Sequence, residues 1–238
     1  MVSTCVFAPG KDSGKQKPLN CCFRYTNLGF GRVSHTGIDE TPAATLKAIL
    51  PPMPVYIAML RGVNLGGRNK IKMDDLKTMC RSLKLRDPQT YVQSGNVIFG
   101  SDEKKPEKLA AMLQARIERG CGFRPEVIMR SSEEMRRAIA ANPFAKDKGL
   151  EPARFLVTFL PAEVDAETRK QLLDLEIAPD VLRVSGREVF IYFYAGLGRS
   201  KSWPRIEKVL KKAGTSRNWN SVTKMLEMAE ALESDSKK

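Results

Sequence analysis

Seven consecutive residues, VYIAMLR (55–61), carry apolar side chains at every position but the last. Alternate side chains of a strand point to opposite faces, so a run like this has no face to give to water. It predicts a central strand, covered on both sides and paired on both edges. The segments around it switch period accordingly. In MDDLKTMCRSLKL (73–85), Leu76, Met79, Cys80 and Leu83 recur at helical spacing, with Asp74 and Asp75 early and basic residues late, as the helix dipole prefers. TYVQSGNVIFG then reads as two short strands joined by a turn at Ser94-Gly95-Asn96. A helix from Pro106 to Gly120, with Leu109, Met112, Leu113 and Ile117 on one stripe, precedes a strand in RPEVIMRS. The order is βαββαβ, the ferredoxin-like unit.

The second half nearly repeats the first. SSEEMRRAIAANPF is a connecting helix capped by Ser131 or Ser132. RFLVTFLP is a strand, DAETRKQLLDLEI a helix, and VLRVSGREVFIYF a hairpin turning at Ser185-Gly186-Arg187. SWPRIEKVLKKAG, with Ser202 as cap and Pro204 in the first turn, and NWNSVTKMLEMAEAL are two further helices. The expected fold is α+β: two ferredoxin-like (βαββα-type) subdomains that look like an internal duplication, with an irregular N-terminal extension. The boundaries are an extension over residues 1–53, a first subdomain over 54–131, a connecting helix and linker over 132–152, and a second subdomain with a C-terminal helix over 153–238.

The extension has scattered Gly, Pro, Ser and Thr and no sustained period, and PPMP (51–54) closes it. Between Met1 and Thr36 it holds five Lys/Arg and one acid, Asp12. Disorder or a misassigned start is the first reading of such a stretch, and organelle import the alternative to a cytoplasmic location. The five cysteines are scattered and form no CxxC pair; Cys5, Cys21 and Cys22 fall in the extension, while Cys80 and Cys121 read as small buried hydrophobes of a reducing compartment. No apolar run approaches the roughly 18 residues that span a membrane, so a soluble protein, a monomer without membrane partners, is expected.

The polar residues concentrate in loops. RGVNLGG (61–67) follows the first strand, and its glycines would let backbone amides approach a ligand. Because the first helix runs back along the sheet, the second strand starts at the same end as the first. The hairpin tip and this loop should therefore meet, bringing Arg61, Asn64, Arg68, Lys70, Gln93, Ser94 and Asn96 to one rim beside the N-terminus of the first helix. The loop matches neither GxGxxG nor a phosphate-binding GxxxxGK[ST]. A second basic cluster, GLGRSKSWPRI and KKAGTSRNWN, adds Arg199, Ser200, Lys201, Lys211, Lys212, Arg217, Asn218 and Trp219. Arg beside Trp is a combination that stacks bases. The sequence does not determine whether the two clusters share one groove. Gly-rich loops also simply turn corners, and Trp219 also fits an ordinary helix start.

YIAMLRGVNLGGRNKIKMDDLK, TYVQSGNVIF, ANPF, GLGRSK and TSRNWNSVTKM, in that order from Pro54 to Ala229, resemble the hallmarks of the domain of unknown function 1697 family. The resemblance implies two ferredoxin-like subdomains and brings no established activity. The extension lies outside its pattern. SKSWPRIEK departs from it after the Lys, which makes the start of that helix unusual.

The net charge of +13 favours anionic partners. The one histidine, His35, is in the extension, so Ser-His-Asp and Cys-His sites and the commonest transition-metal ligand are missing from the remainder. No metal or cofactor is expected. The leading reading is a basic protein that binds a phosphate-bearing ligand, nucleic acid or nucleotide, at the rim. The alternative is an enzyme acting there on a small phosphorylated or carboxylated metabolite, with Lys70, Lys201, Tyr91 or Ser94 as its reactive group. On this reading Arg61→Ala and Asn96→Ala weaken binding and spare stability.

Overall fold

The computed structural model describes residues 53–211 and 213–236, which belong to one compact unit. The expectations for the extension, its three cysteines, His35 and Lys212 lie outside the described residues.

Strand β1 (Val55–Leu60) is buried at all six positions and lies third in the sheet order β2-β3-β1-β4, every neighbouring pair antiparallel. Helices α1 (Met73–Ser82) and α2 (Pro106–Cys121) cover one face of β1, β2 (Arg86–Tyr91), β3 (Asn96–Gly100) and β4 (Val127–Ser131). Tyr56, Ala58 and Leu60 point to that side, among Leu76, Cys80, Leu109 and Leu113. Val55, Ile57 and Met59 point to the other. Both faces are thus covered by hydrophobic side chains, which is why the strand tolerates no polar position.

Ser131 caps α3 (Ser132–Ala140) through a reciprocal capping box with Glu134, so of the two serines considered it is Ser131 that caps. In the second half β5 (Phe155–Phe159), β6 (Val181–Ser185), β7 (Glu188–Tyr192) and β8 (Thr215–Asn218) form a sheet of order β6-β7-β5-β8. Helices α4 (Ala166–Leu173) and α5 (Trp203–Val209) cover its outer face. Helix α6 (Trp219–Asp235) runs along the inner faces.

Two sequence expectations need correction here. The second half is βαββαβ and not βαββα: TSRN forms strand β8 on the edge of β5. Four polar residues give no apolar alternation, so the segment reads as a loop until β5 is there to pair with it. Ser202 occupies the start of α5 but does not cap it; its buried hydroxyl donates to the Ile177 carbonyl.

One apolar cluster joins the halves. Ile57, Met59, Ile98 and Ile128 of the first sheet, Val157, Phe159 and Phe190 of the second, Met135 of α3, and Val222, Met225 and Leu232 of α6 belong to it. Neither sheet's inner face would be dry alone. Helices α3 and α6 are also tied by Arg136, which pairs with Glu230 at 3.1 Å and Glu233 at 3.5 Å.

The duplication can be read residue by residue from strand register. β1 begins at Val55 and β5 at Phe155. Arg130 of β4 sits opposite Ile57, and Arg217 of β8 opposite Val157. Asn96 of β3 sits opposite Met59, and Glu188 of β7 opposite Phe159. Arg130 and Arg217 are therefore counterparts, and so are Asn96 and Glu188.

Candidate functional site

The loop after β1 and the β2–β3 hairpin lie side by side, as the topology requires. The Leu60 amide donates to the Gly95 carbonyl at 2.8 Å. Asn64 Nδ2 donates to the Gln93 carbonyl at 2.8 Å and to the Ile71 carbonyl at 3.0 Å, and its Oδ1 accepts from the Ile71 amide at 2.9 Å. The loop folds on itself through Asn64 N–H to Asn69 O and Arg68 N–H to Leu65 O. Gly95 packs directly against the end of β1 and the loop that follows it. Its φ is +73°, and a Cβ there would stand 2.4 Å from Val63 Cγ2 and 2.9 Å from Leu60 Cβ. Gly95→Ala is expected to cost about 1–3 kcal/mol by overpacking plus the left-handed backbone, seen as a lower urea midpoint at unchanged slope; an unchanged midpoint would mean the hairpin can swing away freely.

Several expected rim residues face inward instead. Asn64 is the tie between loops just described. Asn96 is fully buried: its amide nitrogen donates to Tyr91 O and Ser94 Oγ, and its oxygen accepts from Arg217 Nε at 2.5 Å. Asn96→Ala is therefore expected to cost stability, contrary to the sequence expectation, because it would remove one buried and two part-buried hydrogen bonds. Asn218 caps α6 and donates to Ala153 O. Trp219 is half-buried and packs on Phe155, ring centroids 4.9 Å apart, at the edge of the shared core. Ser200 donates to the Asp180 carboxylate at 2.7 Å. Polar side chains at chain turns are drawn to nearby backbone groups that need partners, and that competition wins here. Arg68, Lys70, Gln93, Arg199 and Lys201 are exposed, and Arg61 and Ser94 are half-buried. Arg61 pairs with Glu126 at 2.9 Å across a partly solvated gap.

Between the halves lies a groove of about 540 Å³. Arg61, Gly62, Val63 and Leu65 of the first loop and Ser94 of the hairpin line one side. Thr158, Leu197, Trp203, Glu207, Leu210 and residues 213–217 line the other. Of the expected site residues, Arg61 and Ser94 of the first cluster and Arg217 of the second line this groove, and the others do not. The N-terminus of α1, expected to help, does not line it. Sequence reasoning passed over Trp203, Leu197, Leu65, Thr158 and Ser216. The only hint was the unusual start of the helix at SKSWPRIEK, which is where Trp203 joins the wall.

The charge balance of this groove turns on Arg217. It is 7% exposed, and its guanidinium donates to Asn96 Oδ1, Thr215 Oγ1, Ser216 O, Leu60 O and Ser94 O. All five acceptors are neutral. Burial with no carboxylate beside it pushes its pKa down to about 10, which still leaves it cationic at neutral pH. Its counterpart Arg130 makes two equivalent bonds: to Leu160 O at 2.8 Å, as Arg217 to Leu60 O at 2.8 Å, and to the carbonyl of its own preceding residue. But Arg130 Nε meets the Glu188 carboxylate at 3.1 Å where Arg217 Nε meets the Asn96 amide. Arg130 lines a smaller cavity of about 260 Å³, with Glu134, Arg187 and Pro161 among its walls. One copy of the cavity is thus neutralised from within, while the other holds an uncompensated cation.

Among the described residues no helix is long and apolar enough to cross a membrane. No curated protein matches the chain. The conserved bacterial protein SP0830 from Streptococcus pneumoniae is similar in fold, at TM-score 0.60 and 23% identity over 75% of this chain and 99% of that one. The crystal structure of TA0507 overlaps only weakly, at TM-score 0.20 and 14% identity over 73% of this chain and 100% of that one. The family model for a protein of unknown function, DUF1697, matches residues 53–190, which takes in the first loop, the hairpin and ANPF and stops short of the last two motif stretches. By that match the chain belongs to the DUF1697 family.

Proposed function

We propose that the groove between the halves binds a phosphate-bearing small molecule of about nucleotide size. The observation that carries this reading is Arg217, a buried guanidinium on the groove wall whose five acceptors are all neutral. A fixed charge in low dielectric attracts an anion more strongly than a solvated one does. Arg61, half-buried and paired with Glu126, lies on the same wall, and the exposed Arg68, Lys70, Arg199 and Lys201, outside the lining, add positive charge to the surface of the same unit. Glu207 is the one acid lining the groove, against Arg61 and Arg217. Val63, Leu65, Leu197, Trp203 and Leu210 offer an apolar surface for a base or ring. A concave site of this volume suits a single small molecule better than a polymer, whose sites are open tracks.

The test is fluorescence titration of Trp203 with nucleoside monophosphates, with the parent nucleosides, and with mixed oligonucleotides over a salt series. Monophosphates are expected to change the emission, and Trp203→Phe to abolish the change. Arg61→Ala should weaken monophosphate binding about tenfold, from the loss of one charge-assisted contact. Its melting temperature should stay nearly constant, since a solvated ion pair is worth about 0–1 kcal/mol. Oligonucleotide binding with a steep salt dependence and no response to monophosphates would replace the pocket reading with a polymer-binding surface.

A further inference from the structure

We infer that Asn96 is the residue that keeps this groove receptive to an anion: it stands where the duplicate half places the carboxylate of Glu188, and the ligand brings the negative charge that Asn96 withholds from Arg217. The inference rests on the groove reading above and concerns what sets its specificity. Strand register equates the two positions, each beside the equivalent arginine and opposite the equivalent residue of the central strand, Met59 or Phe159. In the closed copy Glu188 takes the Nε of Arg130 at 3.1 Å and one terminal nitrogen at 3.0 Å. Glu134 takes Arg187 beside it at 2.6 Å. That cavity therefore carries its own anions. In the open copy Asn96 offers Arg217 an acceptor of the same reach without charge. The Asn96 amide nitrogen is held by Tyr91 O and Ser94 Oγ, which orients the side chain with its oxygen toward the guanidinium. At the shared position beside the arginine Nε, the halves differ by one carboxylate for one amide. A carboxylate at position 96 would neutralise Arg217 from inside the fold and remove the charge that an incoming phosphate meets. Asn96 is a positioning residue in this account. It acts through Arg217 and does not touch the ligand.

The experiment uses the full chain and inorganic phosphate, titrated at constant ionic strength, with the melting temperature and calorimetric binding as readouts. The wild type is expected to gain melting temperature with phosphate and to bind one equivalent. Asn96→Asp should weaken phosphate binding about tenfold or more, the effect of one added charge close to the site. Asn96→Ala, which removes hydrogen bonds but adds no charge, should melt lower yet keep its phosphate response; this separates charge from packing. Glu188→Gln should open the second cavity and raise the stoichiometry toward two. If the wild type shows no phosphate response, the groove reading fails and the inference falls with it. If the wild type responds and Asn96→Asp responds equally, the groove reading stands through Arg61 and only the role of Asn96 is overturned. Should Asn96→Asp not fold, Glu188→Gln decides alone, and an unchanged stoichiometry of one overturns the inference.

Discussion

Replacing Arg217 by methionine is expected to lower the unfolding free energy by about 3–5 kcal/mol, near the upper end for single substitutions. Methionine fills much of the volume but donates nothing. Leu60 O and Ser94 O of the first half, Asn96 Oδ1, and Thr215 Oγ1 and Ser216 O of the second would lose their donor together. Each buried acceptor left without a partner costs about 1–3 kcal/mol, less where water can enter. The groove wall admits some water, so the sum is smaller than five such terms. Arg217 also joins β8 to the end of β1 and the hairpin turn, so its loss loosens the halves against each other. Guanidinium denaturation reads the effect, and a loss under about 1 kcal/mol would mean these acceptors are solvated without the arginine. Arg217→Lys is expected to fall between the two, because an ammonium cannot span the fork that reaches acceptors on both halves.

Arg130→Met should cost a similar amount for a different reason. The Arg130 side chain is 2% exposed and that of Glu188 13%, so the substitution strands a carboxylate that had been paired in low dielectric. Breaking a buried pair from one side costs about 3–5 kcal/mol, mostly the penalty of the charge left behind. The double variant Arg130→Met, Glu188→Met is therefore expected to be more stable than Arg130→Met alone, since it removes both charges. A double variant no better than the single one would show that Glu188 is hydrated and the pair uncoupled. Burial pushes the pKa of Arg130 down while Glu188 opposes the shift, the competition expected of such a pair. Together the two arginine substitutions test whether the halves are held by reciprocal clasps or mainly by the apolar core.

Much of the fold was legible because its signals are local. The doubly apolar VYIAMLR announced a central strand, the stripe of Leu76, Met79 and Cys80 a helix, and the Ser131-Ser132 pair the start of another, with the structure choosing Ser131 as the cap. Strand β8 was not legible, because TSRN has no hydrophobic period and becomes a strand only by pairing with β5. The meeting of RGVNLGG with the hairpin tip followed from strand directions alone. Which side chains would face outward there did not follow. An asparagine in a turn reads the same whether it awaits a ligand, as expected of Asn64, or ties two loops together, as it does.

The duplication shows the division most clearly. In the sequence it is faint, and the two hairpins match through Ser94-Gly95 and Ser185-Gly186, which would set Asn96 against Arg187. The backbone pairing sets Asn96 against Glu188, one residue further on. Sequence alone determined the element order, the buried strands and the basic loops, because hydrophobic period and turn chemistry act over a few residues. Tertiary structure alone decided that Arg130 finds a carboxylate and Arg217 an amide, since both pairings join residues more than fifty positions apart and depend on how one half packs against the other.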